Sequence, residues 1–111
     1  MQNKYMSMLG LARRAGRLAM GHDMALDSIR RKKAKLLLFT SDASPRLKEE
    51  FSRASERFLP QLLCVTVSET MDDIHRAAGY RAGVMCVTDI HFADRIIELI
   101  DREENDYGDK N

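Results

Sequence analysis

The sequence predicts an α/β protein, a three-layer αβα sandwich whose middle layer is a four-stranded mixed sheet. Two observations carry most of that expectation. The apolar run Leu36-Leu37-Leu38-Phe39 has the continuous hydrophobicity of a strand covered on both faces, and Leu62-Leu63-Cys64-Val65-Thr66-Val67 and Val84-Met85-Cys86-Val87 are further apolar, strand-like runs. Segments with helical apolar spacing alternate with them, which argues for helices packed on both sides of a sheet. Gly, Ser and Pro punctuate the junctions and supply start and stop signals. At 111 residues, the chain is one domain, able to bury roughly two-thirds of its unfolded-chain surface.

Taken in order, Tyr5, Met8, Leu9 and Ala12 recur at helical spacing, so a first helix is expected over residues 3–15, ended by Gly16. Arg13, Arg14 and Arg17 cluster at its C-terminal end, where cations suit the helix dipole. Residues 17–20 make a short strand, and its closeness to the first helix is the reason to expect a mixed sheet. Gly21 permits a tight turn that leaves amides free at the head of a second helix. That helix is expected over residues 23–31, with Asp23 a candidate N-cap. At 100° per residue, Ala25, Leu26 and Ile29 form its buried side, while Met24, Asp27, Ser28 and Arg31 face outward.

The elbow Arg30-Arg31-Lys32-Lys33, extended by Lys35, holds the densest positive charge in the chain. A strand over residues 36–40 follows. Ser44 as N-cap and Pro45 at the first helical position start a third helix over residues 45–58, with Leu47, Phe51, Ala54 and Phe58 on one stripe. Pro60 separates it from the strand at 62–67. Thr70 caps a fourth helix whose Met71, Ile74, Ala77 and Ala78 face inward and which Gly79 ends. After the strand at 84–87, Thr88 or Asp89 caps a fifth helix with Phe92, Ala93, Ile96, Ile97 and Ile100 on its core face. The domain is expected over residues 1–104, and the polar stretch 105–111 as a frayed tail.

The formal net charge is only +1, but it is unevenly spread. Residues 1–35 carry nine Lys/Arg against two acids, and the remainder carries nine against fifteen. A basic front third suits a polyanion partner; a solvated surface with no partner explains the same charge. Cys64 and Cys86 lie in apolar runs without CxxC spacing and read as small buried thiols. No apolar run approaches the roughly 20 residues that span a bilayer. The stretch MQNKYMSMLGLARRAG lacks the order of a signal peptide, so a cytoplasmic protein with no membrane partner is expected.

Catalysis finds little support. His22, His75 and His91 are isolated in sequence, and Asp72-Asp73 suits the dipole of the fourth helix better than an acid/base pair. There is no GxGxxG, no phosphate-binding lysine loop and no nucleophile elbow. No catalytic residue, metal or cofactor is expected. The Gly21-His22-Asp23 turn offers a helix head that favours an anion such as phosphate, although Asp23 opposes one.

The run from Leu9 to Pro45, with LGLARRAG near its start and AKLLLFTSDASP at its end, resembles the L7Ae/L30e superfamily of kink-turn-binding ribosomal proteins. It is most similar to the small bacterial YlxQ-like branch. Ile74-His75-Arg76-Ala77-Ala78-Gly79 sits where that family carries a leucine, glycine, basic residue, alanine and final glycine, and the element order agrees through helix five. The resemblance implies an αβα sandwich that binds structured RNA. The head of helix two would read tandem sheared G·A pairs, and the loop after helix four would hold a flipped-out nucleotide, as irregular RNA permits. The family pattern at that head is Gly-x-Asn-Glu-x-x-Lys. Gly21 matches it, but Asp23, Met24 and Asp27 stand in the Asn, Glu and Lys places, and His75 in that of a glycine. Each lost bidentate base contact is worth roughly 1–3 kcal/mol, so kink-turn specificity is the property these departures weaken.

The expected function is therefore non-catalytic RNA binding of the ribosomal, kink-turn type. The candidate residues are Arg13, Arg14, Arg17, Gly21, His22, Asp23, Met24, Asp27, Arg31, Ile74, His75, Arg76, Ala77 and Gly79. Structured RNA, ribosomal or kink-turn-like, is the expected partner; ribosomal proteins are a second class, and DNA is not expected. The alternative is a protein-interaction module of the translation machinery with a partly repurposed RNA surface. An enzyme would need a pocket of converging polar groups that the sequence does not offer.

Overall fold

The computed structural model describes residues 4–109, with side chains described through Glu103. Among these residues nine elements follow one another: α1 (Lys4–Arg14), β1 (Leu18–Met20), α2 (His22–Arg30), β2 (Leu36–Phe39), α3 (Pro45–Phe58), β3 (Cys64–Thr66), α4 (Met71–Ala78), β4 (Val84–Val87) and α5 (Ile90–Asp109). The strands form one sheet in the order β1-β4-β2-β3. β2 and β3 run parallel, while β4 is antiparallel to both β1 and β2. The sheet is mixed, as expected.

Alternation along the strands divides the core in two. Leu36, Leu38, Met85 and Val87 point to one face and pack with Tyr5, Leu9, Ile74, Ala78 and Ile96 from α1, α4 and α5. Leu37, Phe39, Val84 and Cys86 point to the other and pack with Ala25, Ile29 and Phe51 from α2 and α3. Five helices on two faces of a four-stranded sheet give the three layers. α1 comes very close to α4: a Cβ at Gly10 would lie 2.7 Å from the Ala77 carbonyl oxygen.

Most boundaries sit within two residues of those expected. Ser44 accepts a hydrogen bond from the Leu47 amide with Pro45 at the first turn of α3. Thr70 and Asp73 form a reciprocal capping box on α4, and Gly79 closes that helix at φ 80°. Asp89, rather than Thr88, caps α5, its Oδ1 accepting from the amides of His91 and Phe92. The Phe92 amide is the main reason its carboxyl titrates below the ordinary value. The α5 backbone stays helical through Asp109, inside the stretch expected to fray; residues 110–111, like Asn3 in the first helix, lie outside the described residues.

Three expectations need correction. Ser28 is buried, not outward: the buried side of α2 is centred on Ala25, Ser28 and Ile29, with Leu26 at its margin. The Ser28 hydroxyl tolerates this because it donates to the Ala25 carbonyl at 2.7 Å. Cys64 is exposed, because β3 is an edge strand; only Cys86 is a buried thiol, and burial pushes its pKa up to about 11. Asp23 is not the N-cap. Gly21 holds that position at φ 89°, and no side chain caps it.

Candidate nucleic-acid interface

The turn at Gly21 is fixed from the sheet side. Its amide donates to the Val84 carbonyl at 3.0 Å, which anchors it to the start of β4, and its carbonyl accepts from the Ala25 amide at 3.0 Å, which opens α2. A φ of 89° is a conformation that side-chain-bearing residues rarely adopt, so glycine is required here. With no side chain capping it, the first turn of α2 presents amide donors and the positive end of the helix dipole.

The loop after α4 lies directly beside this turn. A Cβ at Gly21 would sit 3.5 Å from the Tyr80 hydroxyl and 3.6 Å from its ring. The Tyr80 side chain is large, apolar and 47% exposed. The Arg13 guanidinium lies over its ring, 5.7 Å from the centroid, and donates to the Ala78 carbonyl. One continuous surface therefore joins the end of α1, the head of α2 and the α4–β4 loop. Met24, 62% exposed, stands on the first turn of α2 at this end of the molecule.

The other candidate residues are placed differently. His22 is drawn away toward α3: its ring nitrogens face Asp23 Oδ1 at 2.9 Å and Glu50 Oε2 at 2.8 Å, and its ring packs edge-on to Phe51. The bonds to Asp23 and then Glu50 raise its pKa above the ordinary 6.5. Asp27 and Arg31 pair with each other at 3.0 Å along exposed α2. Arg76 pairs with Asp73, and His75 is exposed on α4. Ile74 is wholly buried, and Ala77 is partly buried with its carbonyl toward Gly10 of α1, so both serve the packing of α4. Arg14 is exposed beside Arg13.

Arg17 belongs to the other end of the sheet. Its carbonyl accepts from the Thr88 amide, and the Lys35 backbone amide donates to the Val87 carbonyl, so Arg17 and the basic elbow flank the end of β4. The Gly21 turn flanks its start. Along four strand residues the turn and the basic elbow are about 10 Å apart.

Tyr80, which the structure places beside Gly21, is not among the residues expected from the sequence. Its signal was modest: a single aromatic directly after the glycine that ends α4. Nothing in the local pattern places it against Gly21, because that contact joins positions far apart in the chain.

Among the described residues no group of three or more His, Cys, Asp or Glu could hold a metal ion, and no helix is long and apolar enough to cross a membrane. A groove of about 380 Å³ near the elbow is lined by Ala34, Lys35, Leu59, Pro60, Gln61 and Leu62, which offer no hydroxyl, thiol or carboxylate.

Comparison with known proteins agrees with this architecture. The pattern of the Ribosomal protein L7Ae/L30e/S12e/Gadd45 family matches residues 3–70. An RNA-binding protein YlxQ from Bacillus subtilis (strain 168) is 32% identical over 99 residues, 88% of this chain and 96% of that protein. An RNA-binding protein YlxQ from Enterococcus faecium is 30% identical over 100 residues, 90% of this chain and 94% of that protein. Among solved structures, a protein with unknown function from Bacillus halodurans C superposes with a TM-score of 0.80 at 27% identity, covering 90% of this chain and 99% of its own. A Giardia lamblia 15.5kD RNA binding protein superposes at 0.69 with 17% identity over 90% of this chain and 84% of its own, a likeness of fold.

Proposed function

Because the chain belongs to the Ribosomal protein L7Ae/L30e/S12e/Gadd45 family, we propose that it is a non-catalytic RNA-binding protein that grips structured RNA where its backbone departs from a regular helix. The observation that carries this is the contact between Gly21 and Tyr80, which joins the head of α2 to the α4–β4 loop. The uncapped turn offers donors to phosphate or base edges. The half-exposed Tyr80 ring offers a stacking face, worth roughly 1–3 kcal/mol per base. Regular A-form RNA hides its base edges, whereas a kink or bulge presents both features together.

Arg14 adds positive charge beside this surface, and the elbow adds more at the far end of β4. Asp23 and Asp27 subtract from it, so a kink-turn is bound less selectively than a head with the family's Asn and Lys would allow. A ribosomal or ribosome-associated RNA in the cytoplasm is the partner that this combination suits.

The test is titration of the full chain with a kink-turn RNA and a straight duplex of equal length at several salt concentrations. Tighter binding of the kinked RNA, weakening with salt, is expected. Equal affinity for both leaves only electrostatic attraction. No binding at low salt overturns RNA binding and favours a protein-interaction module, for which the exposed Met24 would be the contact.

A further inference from the structure

We propose that Arg13 serves RNA binding as a positioning residue: it caps α4 from outside and holds Tyr80 against the Gly21 turn. The proposal rests on the RNA-binding function proposed above and assigns one residue a role within it. By sequence Arg13 is one of a basic trio at the C-terminal end of the first helix and a candidate RNA-binding residue. The geometry gives its guanidinium other work.

Four observations converge on it. The last carbonyls of a helix lack intrahelical donors, and Arg13 Nη1 donates to the Ala78 carbonyl at the end of α4. A cation there also suits the negative end of the α4 dipole. A Cβ at Gly79 would lie 2.9 Å from the same Nη1, so the guanidinium occupies the space that the missing side chain leaves. Its Cζ lies 5.7 Å from the Tyr80 ring centroid, within cation–π range. Finally, Gly10 stands three residues before Arg13 on α1 and lets that helix approach the Ala77 carbonyl, which brings Arg13 to the end of α4.

The consequence is a chain of contacts from α1 through Arg13 and Tyr80 to Gly21. A lysine in place of Arg13 keeps the charge but loses the planar group that donates and stacks at once. A phosphate contact would tolerate that exchange. A clamp would not.

The experiment uses the full chain with the kink-turn RNA and the straight duplex. Arg13→Lys is expected to lose about tenfold in affinity for the kinked RNA, with duplex affinity and salt slope unchanged. Tyr80→Ala is expected to lose a similar factor, and the double variant about tenfold rather than a hundredfold, because both changes break one unit. Arg14→Gln, as a charge control, lowers the salt slope by about one for both RNAs. Kinked-RNA affinity unchanged in Arg13→Lys, or multiplicative losses in the double variant, overturns the clamp. Amide exchange over residues 79–83, measured without RNA, separates the two ideas. Faster exchange in Arg13→Lys at an unchanged melting temperature supports the clamp, and unchanged exchange overturns it. Failure of the wild-type chain to bind either RNA overturns the RNA-binding function instead.

Discussion

Replacing Asp27 by lysine restores the charge that the family pattern places one turn below the head of α2, and the structure gives its cost and its gain. Asp27 pairs with Arg31 at 3.0 Å, with both side chains more than half exposed. An exposed i,i+4 pair contributes about 0.3–0.5 kcal/mol, and the like-charged pair that replaces it costs a similar amount. The total stays below about 1 kcal/mol, a fall in melting temperature of roughly 4 °C for a domain of this size. The gain lies in RNA binding. The substitution adds a cation and frees Arg31 from its partner, so one or two further phosphates can be neutralised. Each steepens the dependence of log K on log salt by about 0.7–0.9. Between about 50 and 200 mM salt, each added contact enlarges the loss of affinity roughly threefold. Fluorescence anisotropy with the kink-turn RNA at four salt concentrations, beside a circular-dichroism melt, measures both effects. A slope unchanged from wild type, with the fold intact, would refute the placement of this face of α2 against RNA.

Three further outcomes follow from the packing and the caps. Gly10→Ala gains about 1 kcal/mol of helix propensity but forces a methyl group onto the Ala77 backbone, an overpacking cost of roughly 1–3 kcal/mol; a melting temperature at or above wild type would contradict the close approach of α1 and α4. Thr70→Ala removes the acceptor for the Asp73 amide and should cost about 1 kcal/mol by urea denaturation, whereas Thr70→Ser should recover most of it. His22 has a raised pKa in the folded chain, so its contribution is fully present below its ordinary 6.5 and is lost as pH rises through the folded value. The stability advantage of wild type over His22→Gln should therefore shrink with rising pH across that window, and a constant or widening gap in thermal melts would show that the bonds to Asp23 and Glu50 are not formed in solution.

What was legible in the sequence was local. The apolar run Leu36-Leu37-Leu38-Phe39 reads as a strand because burial on both faces leaves no polar position, and all four residues are buried. Ser44-Pro45 and Gly79 mark helix ends because their chemistry acts within one turn. What escaped was set by contacts between distant positions. Ser28 faces inward because α2 is rolled against the sheet, and its hydroxyl finds a partner three residues back. Cys64 is exposed because topology, not composition, makes β3 an edge. His22 turns toward Glu50, 28 residues away, and Arg13 reaches Ala78, 65 residues away. The candidate site was legible as two segments, the head of α2 and the end of α4. Tyr80, and the contact that makes them one surface, became visible only with the fold.

That surface is best tested by mapping RNA contacts on the protein itself. In a backbone amide NMR titration with a kink-turn RNA, the largest shifts are expected at Gly21, Met24, Gly79 and Tyr80, with smaller ones at the elbow. Shifts confined to residues 30–35, with the Gly21 turn and the α4–β4 loop unmoved, would contradict the proposed interface.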